Sequence, residues 1–317
     1  MSRRTSHIVS MIVLPVFLVM FSCSTTRAQA WVPEKGQASI SVYYAHGDQG
    51  DHLLSEDLID GGVNYGKKIH SGDMQSHTVI VGLEYGISNR LALSASIPAT
   101  VSRYDSTNYI FPPHILPDGS TIDDGVYRGG FQDFRFEARY MSVVSPLVIT
   151  PFMAVVIPSH HYITFGHNAI GRDLKELHVG LYLGKLLTFI SNNLYTQAGY
   201  DFAYVEKIGD ISANRSAVDF TLGYFVTPTV TVSTTMSYLK SHGGIDWVTS
   251  DILDIASYVN HDRHAAKNYL NLDGSVSVDI NDALSFFVSY TSTLWGTNIH
   301  ELRSLALGSN WSFEVPH

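Results

Sequence analysis

The chain has 317 residues, with 20 Lys and Arg against 29 Asp and Glu and a formal net charge of −9, long enough for one large domain or two ordinary ones. Charged residues make up 15% and apolar ones 45%, against about a quarter charged in ordinary soluble domains. Disorder is excluded, an ordinary charged soluble surface is unexpected, and the acidic balance excludes a nucleic-acid binder.

No run of about 18 apolar residues is present, so no helical membrane span is expected. Arg3 and Arg4 precede an apolar segment from Ile8 to Phe21, and Ala28-Gln29-Ala30 has the small-x-small pattern that a signal peptidase reads. Residues 1–30 are therefore expected to be a signal peptide cleaved after Ala30, leaving 31–317 as a single domain. The only cysteine, Cys23, lies in that leader, so disulfide and thiolate chemistry are excluded from the remainder. A rival reading lipidates Cys23, but the bulky Phe21 stands where a lipoprotein box takes a small residue. Removing Arg3, Arg4 and Arg27 leaves 17 basic residues against 29 acidic, a net charge of −12.

From Trp31 onward, segments of about ten residues alternate apolar with polar or small positions, as the strands of a closed transmembrane barrel do. In chain order the first four cover Ala38 to Tyr44, Thr78 to Gly86, Leu91 to Ile97 and Gln132 to Tyr140. The next four cover Val148 to Ile157, Glu176 to Leu183, Thr196 to Tyr204 and Val218 to Tyr224. Val230 to Tyr238, Tyr269 to Val278, Leu284 to Tyr290 and Leu305 to Phe313 bring the set to twelve antiparallel strands. The fourth is the clearest: Phe134, Phe136, Ala138 and Tyr140 share one face, and Asp133, Arg135, Glu137 and Arg139 share the other.

A soluble sandwich also alternates, and link length separates the two folds. Short links fall near Ile87 to Asn89, Met141 to Ser145, Thr188 to Asn192, Val226 to Pro228 and Asn281 to Ala283. Between them come longer links: Gly47 to Met74, Thr107 to Gly129, Ser159 to Asp173, Glu206 to Arg215, Lys240 to Lys267 and Thr293 to Glu301. Short periplasmic turns alternating with long outer loops define the outer-membrane class. Tyr85, Tyr140, Tyr224 and Trp311 at one set of strand ends, and Tyr44, Tyr204, Tyr238 and Tyr290 at the other, predict two aromatic girdles. The fold class is all-β, an outer-membrane β-barrel of a Gram-negative bacterium.

Several phrases resemble the outer-membrane transporter family labelled with the meta-pathway of phenol degradation. They are Trp31-Val32-Pro33 with Gly36, Tyr85-Gly86-Ile87-Ser88-Asn89-Arg90-Leu91 followed by Ile97-Pro98, Gly130-Phe131-Gln132-Asp133-Phe134-Arg135 with Ala138-Arg139-Tyr140, and Val156-Ile157-Pro158. The resemblance spans about the first two-thirds of the chain after Trp31. Gln132 stands where the family often has Gly, and Ser159-His160 replaces its Thr-Gly. The resemblance implies uptake of small amphipathic or aromatic molecules.

In a barrel of this size side chains either line a narrow channel or fill it. Asp133, Arg135, Glu137 and Arg139 project inward, and Glu84 and Glu176 are their candidate cross-strand partners. Two readings stay open: a constriction that orients a polar or amphipathic solute, and a self-neutralising ladder in a plugged interior. His160, His161, His167, His261 and His264 fall in outer loops with no metal-ligand spacing, so no metal site is expected. No Gly-x-Ser-x-Gly or other nucleophile setting is present, and Gly61, Gly62 and Gly66 precede no helix that would cradle a phosphate. The expectation is a passive, porin-like channel without catalysis or cofactor, its access gated by the loops Asp48 to Met74 and Lys240 to Lys267. Its partners would be outer-membrane lipid, the barrel-insertion machinery and a small solute. The alternatives are a plugged structural or adhesion barrel and a lipid-modifying surface enzyme.

Overall fold

The computed structural model describes residues 29–60, 62–107, 114–115, 119, 121–248 and 260–315. The strands are β1 (Gln37–Asp60), β2 (Val63–Ser88), β3 (Leu91–Asp105), β4 (His114–Ile115), β5 (Thr121–Ile122), β6 (Arg128–Phe131), β7 (Asp133–Tyr140) and β8 (Val148–Pro158). They continue with β9 (Glu176–Leu186), β10 (Leu194–Val205), β11 (Ala213–Thr227), β12 (Val230–Gly243), β13 (Asn268–Asp279), β14 (Leu284–Thr297) and β15 (Ile299–Glu314). The main sheet pairs each wall strand antiparallel with its neighbours in sequence and closes where β1 meets β15, from Gln37↔Glu314 to Leu53↔Ile299. β6 and β7 together form one stave against β3, interrupted at Gln132, so the wall has twelve strands. β4 and β5 pair with each other in an outer loop. Among the described residues, no helix is long and apolar enough to cross a membrane.

The alternation that defines each strand also sorts its two faces. Val42, Leu83, Phe136, Phe220, Val288 and Leu307 point outward and are exposed, whereas Ser41, Glu137, Thr221, Ser289 and Asn310 point inward and are buried. A barrel greasy outside and polar inside is stable only with hydrocarbon around it. Tyr140, Tyr224 and Trp311 ring the belt at the end of the short turns, and Tyr204, Tyr238 and Tyr290 ring it at the other end; all six are exposed. Side chains cap the turns: Ser88 Oγ accepts from the Arg90 and Leu91 amides at 3.2 and 3.1 Å, and Asn281 Oδ1 from those of Ala283 and Leu284 at 2.9 and 3.0 Å.

Two expected outer loops are strand instead. Gly47 to Met74 continues β1 and β2 as a hairpin paired to Asp60↔Val63, and Thr293 to Glu301 continues β14 and β15 around Asn298, whose φ is +54°. With 24 and 26 residues, β1 and β2 are more than twice the roughly ten residues that a tilted strand needs to cross the hydrocarbon. Their outer halves rise clear of the membrane.

Both ends of the barrel are furnished from within. At the outer end Tyr104, Asp123, Leu174, His264 and Asn298 are almost fully buried, so the outer loops have a core of their own. At the other end residues 29–36 cross the mouth. Gly36 N donates to Gly86 O at 2.8 Å and Lys35 N to Asn89 Oδ1 at 2.9 Å. Ala30, fully buried, packs with Val148, Phe152 and Tyr182 on the far wall. A side chain at Gly184 would come within 2.6 Å of Ala30 Cβ and 2.8 Å of the Trp31 ring, so this close crossing requires glycine there.

Candidate functional site: the barrel interior

The period of two on β7 brings Asp133, Arg135, Glu137 and Arg139 to the inside, and neighbouring strands supply their partners. Arg139 donates to Glu84 of β2 and, through Nη1, to the Gln29 carbonyl at 3.1 Å; its Nε stands 3.6 Å from Glu137 Oε1. Arg135 donates to Glu137 Oε2 at 2.7 Å and lies 3.7 Å from Asp201 of β10. Asp201 meets His178 of β9 at 2.8 Å, and the other ring nitrogen of His178 meets Glu176 at 2.9 Å. Glu176 also accepts from Arg172 and Arg215. The ladder therefore climbs the wall from Glu84 and Arg139 near the short-turn end to Glu176, Arg172 and Arg215 at the outer end.

Of the six residues singled out from the sequence, Glu84, Arg135, Glu137 and Arg139 share one paired network. Glu176 belongs to its outer end, with partners other than β7. Asp133 stands apart: it accepts from the Tyr162 hydroxyl at 2.5 Å and the Arg172 amide at 3.4 Å, anchoring the loop between β8 and β9. Sequence reasoning missed Asp201, His178, Arg172 and Arg215 as members. Asp201 was legible, since it shares the inward face of β10 with Gln197 and Gly199. Arg172 lies in an outer loop, where the period of two gives no direction; Arg215 stands at the start of β11, with the parity of the inward Thr221, but reads in the sequence as the end of a loop.

The opposite wall is chemically different. On β11 to β15 and β1 the inward positions are Thr221, Thr231, Thr235, Ser285, Ser289, Asn310, Ser312 and Ser41, all buried. Thr221 and Thr235 hydroxyls bond at 2.9 Å, and Ser233 and Ser275 at 2.7 Å. Asp219 of β11 and Asp273 and Asp279 of β13 are charges on these same inward faces, and Asp273 accepts from Thr291 at 2.7 Å. One side of the interior is a neutralised ion ladder and the other a surface mostly of hydroxyls and amides with a few carboxylates among them.

A lipid hydrolase would need a nucleophile, a base and a group that orients the base. Ser216 Oγ and His242 Nε2 do meet at 2.8 Å at the outer ends of β11 and β12, with Phe202 stacked on the imidazole. Among the described residues no acid or amide side chain bonds the other nitrogen of His242, so the pair lacks that orienting group.

A closed barrel of twelve antiparallel strands with an apolar outer belt, two aromatic girdles and a polar interior is an outer-membrane β-barrel of the Gram-negative envelope. No family model matches the chain, and no curated protein does. Among solved structures it is similar to the COG4313 outer membrane channel from Pseudomonas putida F1, at 14% identity and a TM-score of 0.63, over 91% of this chain and 100% of that one. More distant similarities are to the KdgM porin (10% identity, TM-score 0.47, 86% and 99% coverage) and the Pseudomonas putida toluene transporter TodX (9%, 0.40, 91% and 92%). At these identities the first likeness establishes a shared fold, and the other two are too remote to add to it.

Proposed function

We propose that this protein is a narrow, passive outer-membrane channel for small solutes. The observation that carries the reading is the asymmetric interior. The charges of one wall are matched to one another across β2, β7, β9, β10 and β11, while the facing wall offers mostly uncharged hydroxyls and amides, with Asp219 and Asp273 among them. A solute sliding along that wall exchanges hydrogen bonds with water for hydrogen bonds with protein, and meets a field kept small by pairing. The crossing segment that begins at Trp31 and the buried outer loops are the two gates. The resemblance to the phenol-pathway family supports small amphipathic or aromatic solutes. Export by the leader 1–30, with residues 31–317 forming the mature domain, and insertion by the barrel-assembly machinery belong to the same reading, as does the absence of catalysis.

Planar-bilayer recording of the refolded protein tests it. The expected result is discrete current steps whose ion selectivity changes when Arg135→Ala and Arg139→Ala are combined, because unmatched Glu84 and Glu137 then favour cations. A verified folded barrel that passes neither ions nor small solutes would overturn the channel reading in favour of a plugged structural barrel.

A further inference from the structure

We infer that the outer end of the barrel binds one divalent transition-metal ion of the zinc class, with His52, His167 and His300 as ligands. The site is independent of whether the barrel conducts. His52 on β1 and His300 on β15 face each other across the closing seam as direct register partners, with ring centroids 4.0 Å apart. His167 arrives from the loop between β8 and β9 and places its ring centroid 4.7 Å from that of His52 and 5.3 Å from that of His300. One nitrogen from each ring lies within 4.8 Å of the others; donors on a tetrahedral zinc with bonds of about 2.0 Å stand about 3.3 Å apart. Small ring rotations close that gap.

Two features distinguish this cluster from a chance meeting of imidazoles. The first is unsatisfied donor capacity: His52 Nε2 and His300 Nδ1 are buried ring nitrogens without a hydrogen-bond partner, an arrangement that costs free energy unless something binds them. The second is an outer layer of the kind that orients metal-bound histidines. His52 Nδ1 bonds the buried Ser71 hydroxyl, itself 3.0 Å from Tyr104 OH. His167 Nδ1 stands 3.3 Å from Oδ2 of Asp123. That carboxylate is fully buried, sits on a left-handed residue with φ +63°, and also takes the amides of His167 and Asn168 at 3.2 and 3.1 Å.

The electrostatics agree. Burial, and then the neighbouring histidines, push His52 and His300 well below the ordinary imidazole value, so both are in the neutral form that ligates. Burial disfavours a charged His167, but Asp262 and Asp123 outweigh it and raise that ring, so ligation through it displaces a proton and tightens as pH rises. His261 and Asp262 lie within the same reach of His167, forming a second triad on the other side of the cluster. All-imidazole and imidazole–carboxylate sets suit zinc, copper and nickel better than magnesium or calcium. A bound ion would tie β1, β15 and the β8–β9 loop together at one point.

The test uses full-length protein purified in detergent, stripped with a chelator and titrated with Zn²⁺, then with Co²⁺ as a spectroscopic probe. The expected result is one saturable site per barrel, with a cobalt absorption spectrum of nitrogen-ligated low coordination number. His167→Ala and His300→Ala should each weaken binding by at least about a hundredfold and Asp123→Asn by about tenfold, while the double variant His160→Ala/His161→Ala binds as the parent does. The shift in gel migration between boiled and unboiled samples verifies that each variant is folded. If His300→Ala fails that check, His167→Ala decides, since its side chain comes from a loop and not from the wall. Equal zinc uptake by the parent and His167→Ala, or no saturable uptake by the parent, overturns the site.

Discussion

Arg139 shows what a single residue has to satisfy inside a barrel. It is buried, donates to Glu84, and shares Glu137 with Arg135. Glu84→Gln removes the one carboxylate that Arg139 does not share, and breaking a buried pair from one side costs roughly 3 kcal/mol, because the remaining charge is left uncompensated. The double variant Glu84→Gln/Arg139→Met is expected to recover most of that loss in urea unfolding of the purified barrel, which a sum of independent effects would not do. Lys267, where the last long loop meets β13, presents the opposite case. Burial first, and Arg172 next, hold its ammonium down to about 8, with Arg215 also lowering it and Asp262 opposing. Between that value and the ordinary 10.5, the unfolded chain keeps a proton that the folded chain has released. Stability is therefore expected to rise as pH climbs through this window, and below it Lys267 contributes no pH dependence. Urea midpoints measured across the window should show the rise in the parent and lose it in Lys267→Met.

At the scale of elements, legibility depended on whether a strand has two different solvents on its two sides. All twelve wall strands have lipid on one face and a polar interior on the other, so their period of two was readable from β1 to β15. The outer halves of β1 and β2 have no such contrast. Asp48-Gln49-Gly50-Asp51-His52 alternates nothing, and so read as a loop. A register shift between Gln49 and His52 also moves the inward face from odd positions such as Ser41 and Tyr43 to the even position of His52, which is why the pairing with His300 was invisible in the sequence. Gln132 interrupts the β6–β7 stave for a local reason: its amide donates to Pro98 O at 2.9 Å, while its side chain turns to Ile170 O. The tip of the β1–β2 hairpin contributes nothing to the wall but docks on the last long loop, where Ser55 Oγ donates to Asp246 at 2.7 Å. Deleting residues 54–67 is therefore expected to leave a heat-modifiable barrel on gels while speeding protease cleavage within residues 244–267.

For the whole molecule, the polar interior and its two closures are one design problem solved at different sequence distances. The ladder was half legible because neighbouring strands neighbour one another in the chain. The outer core was not, because His52, Tyr104, Asp123, His167, Trp247 and His300 come from six separate strands and loops and meet only when the cylinder is complete. The seam between β1 and β15 also sets the order of events in assembly. Its register joins the first residues of the wall to the last, so it is the largest loop the chain has to close and is entropically the slowest to form. Until β15 has been synthesised and delivered, β1 and the growing sheet both carry bare edges, which hydrocarbon does not tolerate. Closure and membrane insertion are thereby forced into a single late step, and the His52–His300 juxtaposition comes into being only once that step is finished.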